Sequence, residues 1–403
     1  MQEKKMRILF VAMPESIHAV RWITQLTKMG WDIQLFPSTD GELHTGFRDI
    51  TYHSIFCRRP KIDDPSVKIH GMIPIWRGRR TLLKVMERAA PKMINRADWL
   101  ARTIRKFKPD IIHSLEIQHA GYMVMEAKKQ FLEKEFPPWI VTSWGNDIFF
   151  FGRLKNDIPR IREVLANCQY YDCECQRDVV LARSFGFTGK VLLPVIPNTG
   201  GFDIEMIKRI RQPGPTSKRR VIALKGYQGW AGRALNALRA IELCSQELHG
   251  YRVEIYLAHP DVQMAAELVT FGTGIPFDII PYSSHEEILK MHGRARISIG
   301  VNITDGVSTS FLEAFVMGSF PIQASTACVE DWIEDGITGM IVHPEDPQMI
   351  ADAIRRAIKD DELVDSAAKV NFQIAIERLD RKILEPIAAG FYEEIAKECG
   401  IPL

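Results

Sequence analysis

The sequence predicts an α/β chain of two doubly wound domains. Three observations carry that reading. Apolar runs rich in Val, Ile and Leu, such as MRILFVA at 6–12 and ISIGVNI at 297–303, read as strands buried on both faces. Stretches of helical periodicity separate them, the alternation that a parallel sheet with crossover helices requires. The 403 residues, 46% of them hydrophobic, suffice for two or three cores of ordinary size.

Composition excludes several classes. No uninterrupted apolar run is long enough to span a bilayer. The opening MQEKKMRILFVAM places basic residues before an apolar run, as a signal peptide does. The run breaks at Pro14-Glu15 without a small-residue cleavage site, so it reads as the first strand. Seven cysteines are odd in number and scattered; Cys168, Cys173 and Cys175 cluster without a second pair at zinc spacing. Buried thiols in a reducing cytoplasm are therefore expected, and no metal. Net charge is only +2, yet residues 58–108 hold 15 Lys and Arg against 4 Asp and Glu. That local excess calls for an anionic partner. Apolar residues beside cations at 73–80, then a basic helical region at 81–108, suit an interfacial helix and equally a solvated one. No nucleic-acid-binding module accompanies the patch.

In chain order, a strand at 6–12 leads to a helix at 17–29 that stops at Gly30, then a strand at 31–36. This is a Rossmann-like opening without the Gly-x-Gly-x-x-Gly loop, which argues against dinucleotide binding. Further strands are read at 109–113, 139–144 and 170–175, with a helix at 176–185. The run 190–197 closes the first domain. Composition at 210–220, IRQPGPTSKRR, reads as a linker. The domains are thus 1–205, with 382–403 crossing back, a linker at 206–219, and 220–381.

The second domain opens with a strand at 220–224 and the turn KGYQGWAGR at 225–233, a Gly-rich turn before a helix and so a phosphate cradle. No Gly-Lys-Ser/Thr follows, which excludes an ATP-binding P-loop. Strands at 251–258 and 277–281 and a helix at 285–293 lead to the most informative stretch, 295–325. Its strand is followed by Asp305-Gly306, then a helix carrying Glu313, capped by Ser308 or Thr309 and ended at Gly318; 320–324 is the next strand. The helix start faces the carboxyl end of the sheet, where the backbone of Val307, Ser308 and Thr309 is placed to hold a diphosphate. Asp305 and Glu313 flank it. Carboxylates repel phosphate, so their work is to accept hydroxyl hydrogen bonds from sugar or ribose. Diphosphate with hydroxyl acceptors on both sides describes a nucleotide sugar.

The same residues resemble the donor-binding motif of the family 4 retaining glycosyltransferases. That motif has Glu-Gly, then a second Glu eight positions on with Ala after it, then small-Gly-x-Pro. Here stand Asp305-Gly306, Glu313-Ala314 and Met317-Gly318-Ser319-Phe320-Pro321, with Asp replacing the first Glu and two residues between Gly318 and Pro321. The resemblance extends to Ser16-Ile17-His18 before Arg21-Trp22, to Gly145-Asn146-Asp147, to Asn198-Thr199-Gly200-Gly201 and to Asp335-Gly336. It implies two Rossmann-like domains facing across a cleft, the B-type glycosyltransferase fold.

From the resemblance follow expectations for single residues. A His at the end of the 109–113 strand would face the donor sugar; His113 and His119 are candidates, His119 the better match. Asp147 would contact acceptor or sugar. Arg233 is expected to hold the diphosphate, with Lys225 second, and Tyr227 stands where the family has Arg. The nucleobase would sit near Tyr282 and Ser283. Asp305 would orient the sugar and Glu313 hold the ribose. The B-type fold needs no metal; Asp172-Cys173-Glu174 resembles a metal motif of the other glycosyltransferase fold but lies inside a strand. The implied enzyme is a retaining hexosyltransferase acting on a UDP- or GDP-type donor and a glycan or lipid-linked acceptor. Its setting would be cell-surface glycan or glycolipid biosynthesis, in the cytoplasm and peripheral at the inner face of the membrane through 58–108. Rival readings are a non-catalytic nucleotide- or sugar-binding subunit and a same-fold epimerase or phosphorylase.

Overall fold

The computed structural model describes residues 5–54, 62, 64–71 and 95–402. It divides into two compact units, Met1–Gly200 with Glu385–Leu403, and Gly201–Leu384. Among the described residues no helix is long and apolar enough to cross a membrane.

Among the described residues, the first unit holds eight parallel strands: β1 (Arg7–Ala12), β2 (Asp32–Pro37), β3 (Thr51–Ser54), β4 (Lys68–Gly71), β5 (Ile111–Leu115), β6 (Trp139–Ser143), β7 (Tyr170–Cys173) and β8 (Lys190–Val191). They lie in the order β4-β3-β2-β1-β5-β6-β7-β8. β5, β6 and β7 are buried at every residue, as apolar runs covered on both faces should be. Helices α1 (Ile17–Thr24), α2 (Arg96–Phe107), α3 (Tyr122–Lys128), α4 (Ile158–Asn167) and α5 (Gln176–Ser184) connect them. Ser16 caps α1 by accepting the Ala19 N–H. Of the basic helical stretch read at 81–108, the described part begins at Arg96. Asn95 is extended there and accepts the Ala97 N–H, so the helix starts at this cap instead of running through it. Residues 58–61, 63 and 72–94 of the basic segment lie outside the described residues.

A buried polar chain runs through this unit's core. Trp22 Nε1–H donates to the Tyr392 hydroxyl at 2.9 Å, and that hydroxyl lies 2.7 Å from His113 Nδ1. His113 Nε2 lies 2.6 Å from Thr142 Oγ1, which donates to Asp172 Oδ2 at 2.9 Å. Burial holds the imidazole neutral, its pKa lowered to about 3, so one ring nitrogen donates and the other accepts. The carboxyl of Asp172, fully buried in β7, is pushed up to about 7 by the same burial.

The second unit holds six parallel strands: β9 (Val221–Lys225), β10 (Arg252–Tyr256), β11 (Phe277–Ile279), β12 (Ala295–Gly300), β13 (Phe320–Ala324) and β14 (Met340–Val342). Their order is β11-β10-β9-β12-β13-β14. Helices α6 (Ile204–Ile210), α7 (Ala234–Leu243), α8 (Pro260–Thr273), α9 (His285–Arg294), α10 (Thr309–Met317), α11 (Pro347–Lys359) and α12 (Asp361–Leu379) belong to it, and α13 (Arg381–Cys399) follows. The strand read at 297–303 ends at Gly300. Beyond it the backbone pairs with the glycine turn instead: Arg233 N–H donates to Val301 O at 2.9 Å and Ile303 N–H to Ala231 O at 2.8 Å. The stretch with linker composition is bonded into this unit. Arg211 donates to Ala368 O, Thr216 to Gly318 O, and Ser217 to Asp365.

Candidate functional site

In a doubly wound sheet, ligands bind at the carboxyl ends of the two strands where the order reverses. In the second unit those strands are β9 and β12. β9 delivers Lys225, whose ammonium lies 3.2 Å from Ser308 Oγ and 3.9 Å from Asp305 Oδ2. Asp305 also accepts Asn302 Nδ2–H at 3.1 Å. Ser308 precedes α10 without capping it; its hydroxyl pairs with Lys225 and, at 2.9 Å, with Ser310. The positive end of α10 and the ammonium therefore meet at Val307, Ser308 and Thr309, an arrangement suited to an anion. Three buried oxygens here, Asn302 Oδ1, Thr304 Oγ1 and Thr309 Oγ1, have no hydrogen-bond partner among the described residues. Each costs about 1–3 kcal/mol unless a polar group meets it.

The glycine turn is shaped by close approach. A Cβ on Gly232 would stand 2.0 Å from Tyr227 O, and Gly229 sits at φ 119. Arg233 closes the turn: its guanidinium donates to Gly232 O at 2.8 Å, to Gly229 O at 3.2 Å and to Glu345 Oε1 at 3.0 Å. Of the two cations expected at the diphosphate, Lys225 stands at Ser308 and Arg233 pairs with the turn carbonyls and with Glu345. Glu313, 5% exposed, projects from α10 to within 2.9 Å of His285 Nε2. His285 begins α9, whose start is fixed by a Ser284–Glu287 capping box. Tyr282, just before it, is 96% exposed. Gly306 lies buried in the loop between Asp305 and Val307.

The first unit's order reverses between β1 and β5. Glu116 follows β5 with φ 81 and ψ 158. Its carboxylate accepts His119 N–H at 2.8 Å and also the Ala120 N–H, and lies 3.3 Å from His119 Nδ1. That bond is the main reason the His119 pKa rises above 6.5. The His119 side chain is 56% exposed. His113, the other candidate, is fully buried in the polar chain. Asp147 was expected to touch acceptor or sugar. It is 3% exposed, and its carboxylate accepts the Ile117 N–H at 2.9 Å and the Trp144 N–H at 2.5 Å, tying two loops together. Burial and then repulsion from Glu116 push its carboxyl up to about 7.

Glu116, His285 and Asn302 escaped the sequence reading. The Glu-x-x-His spacing of 116 and 119 and the Ser-x-x-Glu box at 284–287 were the available signals.

Comparison with known proteins bears on both units. The family model described as glycosyl transferase 4-like matches residues 7–172, and glycosyl transferases group 1 matches 270–371. No curated protein sequence matches the chain. Among solved structures, sucrose-phosphate synthase from Thermosynechococcus elongatus superposes with a TM-score of 0.71 at 12% identity, covering 98% of this chain and 100% of that one. Anabaena HepE, solved in complex with UDP and glucose, gives 0.68 at 14%, covering 97% and 100%. A UDP-forming trehalose-phosphate synthase from Burkholderia xenovorans gives 0.67 at 10%, covering 97% and 99%. At these identities the structural likeness shows the fold alone.

Proposed function

This chain is a family 4-like glycosyltransferase of the B-type fold, and from that premise we propose that it moves a sugar from a UDP- or GDP-type nucleotide sugar to an acceptor hydroxyl with retention of configuration. The observation that carries the reading is the meeting of Lys225, Ser308 and Asp305 at the start of α10, with Glu313 one turn inside it. The diphosphate rests on the helix N-terminus and Lys225, with Arg233 holding the turn beside it. Asp305 accepts sugar hydroxyls, and Glu313, oriented by His285, accepts those of the ribose. Tyr282 offers a ring to the base. His119 serves the sugar being transferred.

In the transfer, the bond from the anomeric carbon to the diphosphate oxygen breaks as the acceptor oxygen bonds to that carbon on the same face. The acceptor proton passes to the departing phosphate. Lys225 and the helix dipole stabilise the charge that develops there, and the reading calls for no metal. A lipid-linked or otherwise anionic glycan acceptor fits the basic segment 58–108, as does peripheral attachment at the inner face of the membrane.

Thermal stabilisation by a panel of nucleoside diphosphates tests the reading, with Glu313→Ala alongside. UDP is the first probe, since the complexes of Anabaena HepE contain UDP, with glucose or as UDP-glucose. A ligand at a hundred times its Kd adds about 2.7 kcal/mol. A shift for one base, lost in the variant, supports the reading; no shift for any nucleotide sinks it. Donor that binds and is never consumed with any acceptor favours a binding subunit, and conversion without acceptor favours an epimerase.

A further inference from the structure

The backbone of Glu116, at φ 81 and ψ 158, lies in a region that glycine occupies and that strains any other residue. Glycine would make the same strand-to-helix turn without strain. What glycine lacks is the carboxylate, which holds the start of the following turn and reaches the His119 ring. It accepts the His119 N–H at 2.8 and 3.0 Å and the Ala120 N–H, and it lies 3.3 Å from His119 Nδ1. Glu116 is itself 4% exposed, whereas the side chain of His119 is 56% exposed. With Nδ1–H directed at the carboxylate, Nε2 is the ring atom left to address a substrate. Asp147 braces the arrangement from below by accepting the Ile117 N–H at 2.9 Å, while Gln118 Nε2–H donates to Asp147 O at 2.9 Å.

We propose that Glu116 is a positioning residue for the transfer reaction: it orients the His119 ring through Nδ1, so that Nε2 addresses a hydroxyl of the sugar being transferred. The proposal rests on the transferase reading for its kinetic arm only. The groups acting on the ring are Glu116, Asp147 and Glu15, all raising its pKa, against burial, which lowers it. Asp147 titrates near neutrality, being pushed up to about 7, so Glu116 is the carboxylate in contact with the ring.

The test uses Glu116→Gly, Glu116→Gln and His119→Gln in the full chain. Thermal unfolding gives stability, and proton NMR gives the His119 titration, assigned by its loss in His119→Gln. Transfer is followed from pH 5.5 to 9. In Glu116→Gly the relief of strain opposes the loss of the acceptor for the His119 and Ala120 N–H groups, so stability should stay close to that of the native chain while kcat/KM falls about 10- to 100-fold. Glu116→Gln should move the His119 titration toward that of ordinary imidazole. Its kcat/KM deficit should be largest at neutral and alkaline pH and fade toward pH 5.5, where the ring is protonated without help. Two results overturn the proposal: a Glu116→Gly chain that loses stability and keeps its activity, which makes Glu116 a cap, or a His119 titration that Glu116→Gln leaves in place. A native chain that turns over no donor overturns the transferase reading instead, and the titration and stability still decide whether Glu116 and His119 are coupled.

Discussion

Replacing Asp172 by Asn should stabilise the protein more at pH 8 than at pH 6. Asp172 is fully buried in β7, and its Oδ2 accepts the Thr142 hydroxyl at 2.9 Å. Desolvation raises its pKa from 3.8 to about 7. In the folded protein the acid therefore keeps its proton to about pH 7, while the unfolded chain has lost it by pH 5. Wherever the folded state binds more protons, stability falls as pH rises. Here that window runs from 3.8 to about 7. Between pH 6 and pH 8 the excess averages about half a proton, so the native chain loses about 1.4 kcal/mol through this group. Asparagine offers an amide oxygen to the same hydroxyl and does not titrate. All other titrating groups cancel in the difference between the two proteins. Urea unfolding of both, followed by tryptophan fluorescence at pH 6, 7 and 8, should show the variant gaining about 1.4 kcal/mol on the native chain across that range. A difference independent of pH, or one that shrinks as pH rises, would mean that Asp172 is ionised in the core and would refute the reasoning.

Three further outcomes are expected. Lys225→Met should cost nucleoside diphosphate binding about 2 kcal/mol, roughly 30-fold, while leaving binding of the nucleoside alone unchanged; calorimetry with UDP and uridine separates the two. Gly232→Ala forces a Cβ to within 2.0 Å of Tyr227 O, so both the unfolding midpoint and nucleotide affinity should fall, the stability by about 1–3 kcal/mol. Binding to vesicles should rise with anionic lipid content and fall between low and high salt if the 58–108 segment meets a membrane; sedimentation that ignores both lipid and salt removes that partner.

The local geometry of the second unit's candidate site was legible because its signals are local. A buried strand, an Asp eight residues before a Glu, and Gly318 just past the helix all lie within thirty positions of one another. What stayed hidden depends on distant partners. Arg233 pairs with Glu345, over a hundred positions away, and no spacing rule near 233 reports that contact. The strand expected to reach 303 stops at 300 because residues 301 and 303 bond the glycine turn some seventy positions earlier. The stretch at 211–219 has the composition of a linker, but composition states backbone preference, not partners. Thr216, Ser217 and Arg211 find theirs in α12 and at Gly318. His113, Thr142 and Asp172 read as polar interruptions of apolar strands until their rings and hydroxyls are seen in one chain.

The two reversal points also differ in electrostatic sign, which bears on the division of labour. Both lie at the carboxyl ends of a parallel sheet, where helix starts favour anions. In the second unit that tendency is reinforced: Lys225 stands at Ser308, and Asp305 is drawn toward Lys225 and Asn302. In the first unit it is cancelled. The turn that begins at Ile117 already has Glu116 accepting the N–H groups of 119 and 120, and the Asp147 carboxylate takes the N–H of 117. A phosphate arriving there would compete with two carboxylates for the same donors and be repelled by their charge. Hydroxyls meet no such barrier, and an imidazole such as His119 suits them as a partner. The sheet is the same device twice, and the side chains at its reversal point decide what it favours: an ammonium beside the helix start at Lys225 and Ser308 in one unit, N–H groups already taken by Glu116 and Asp147 in the other.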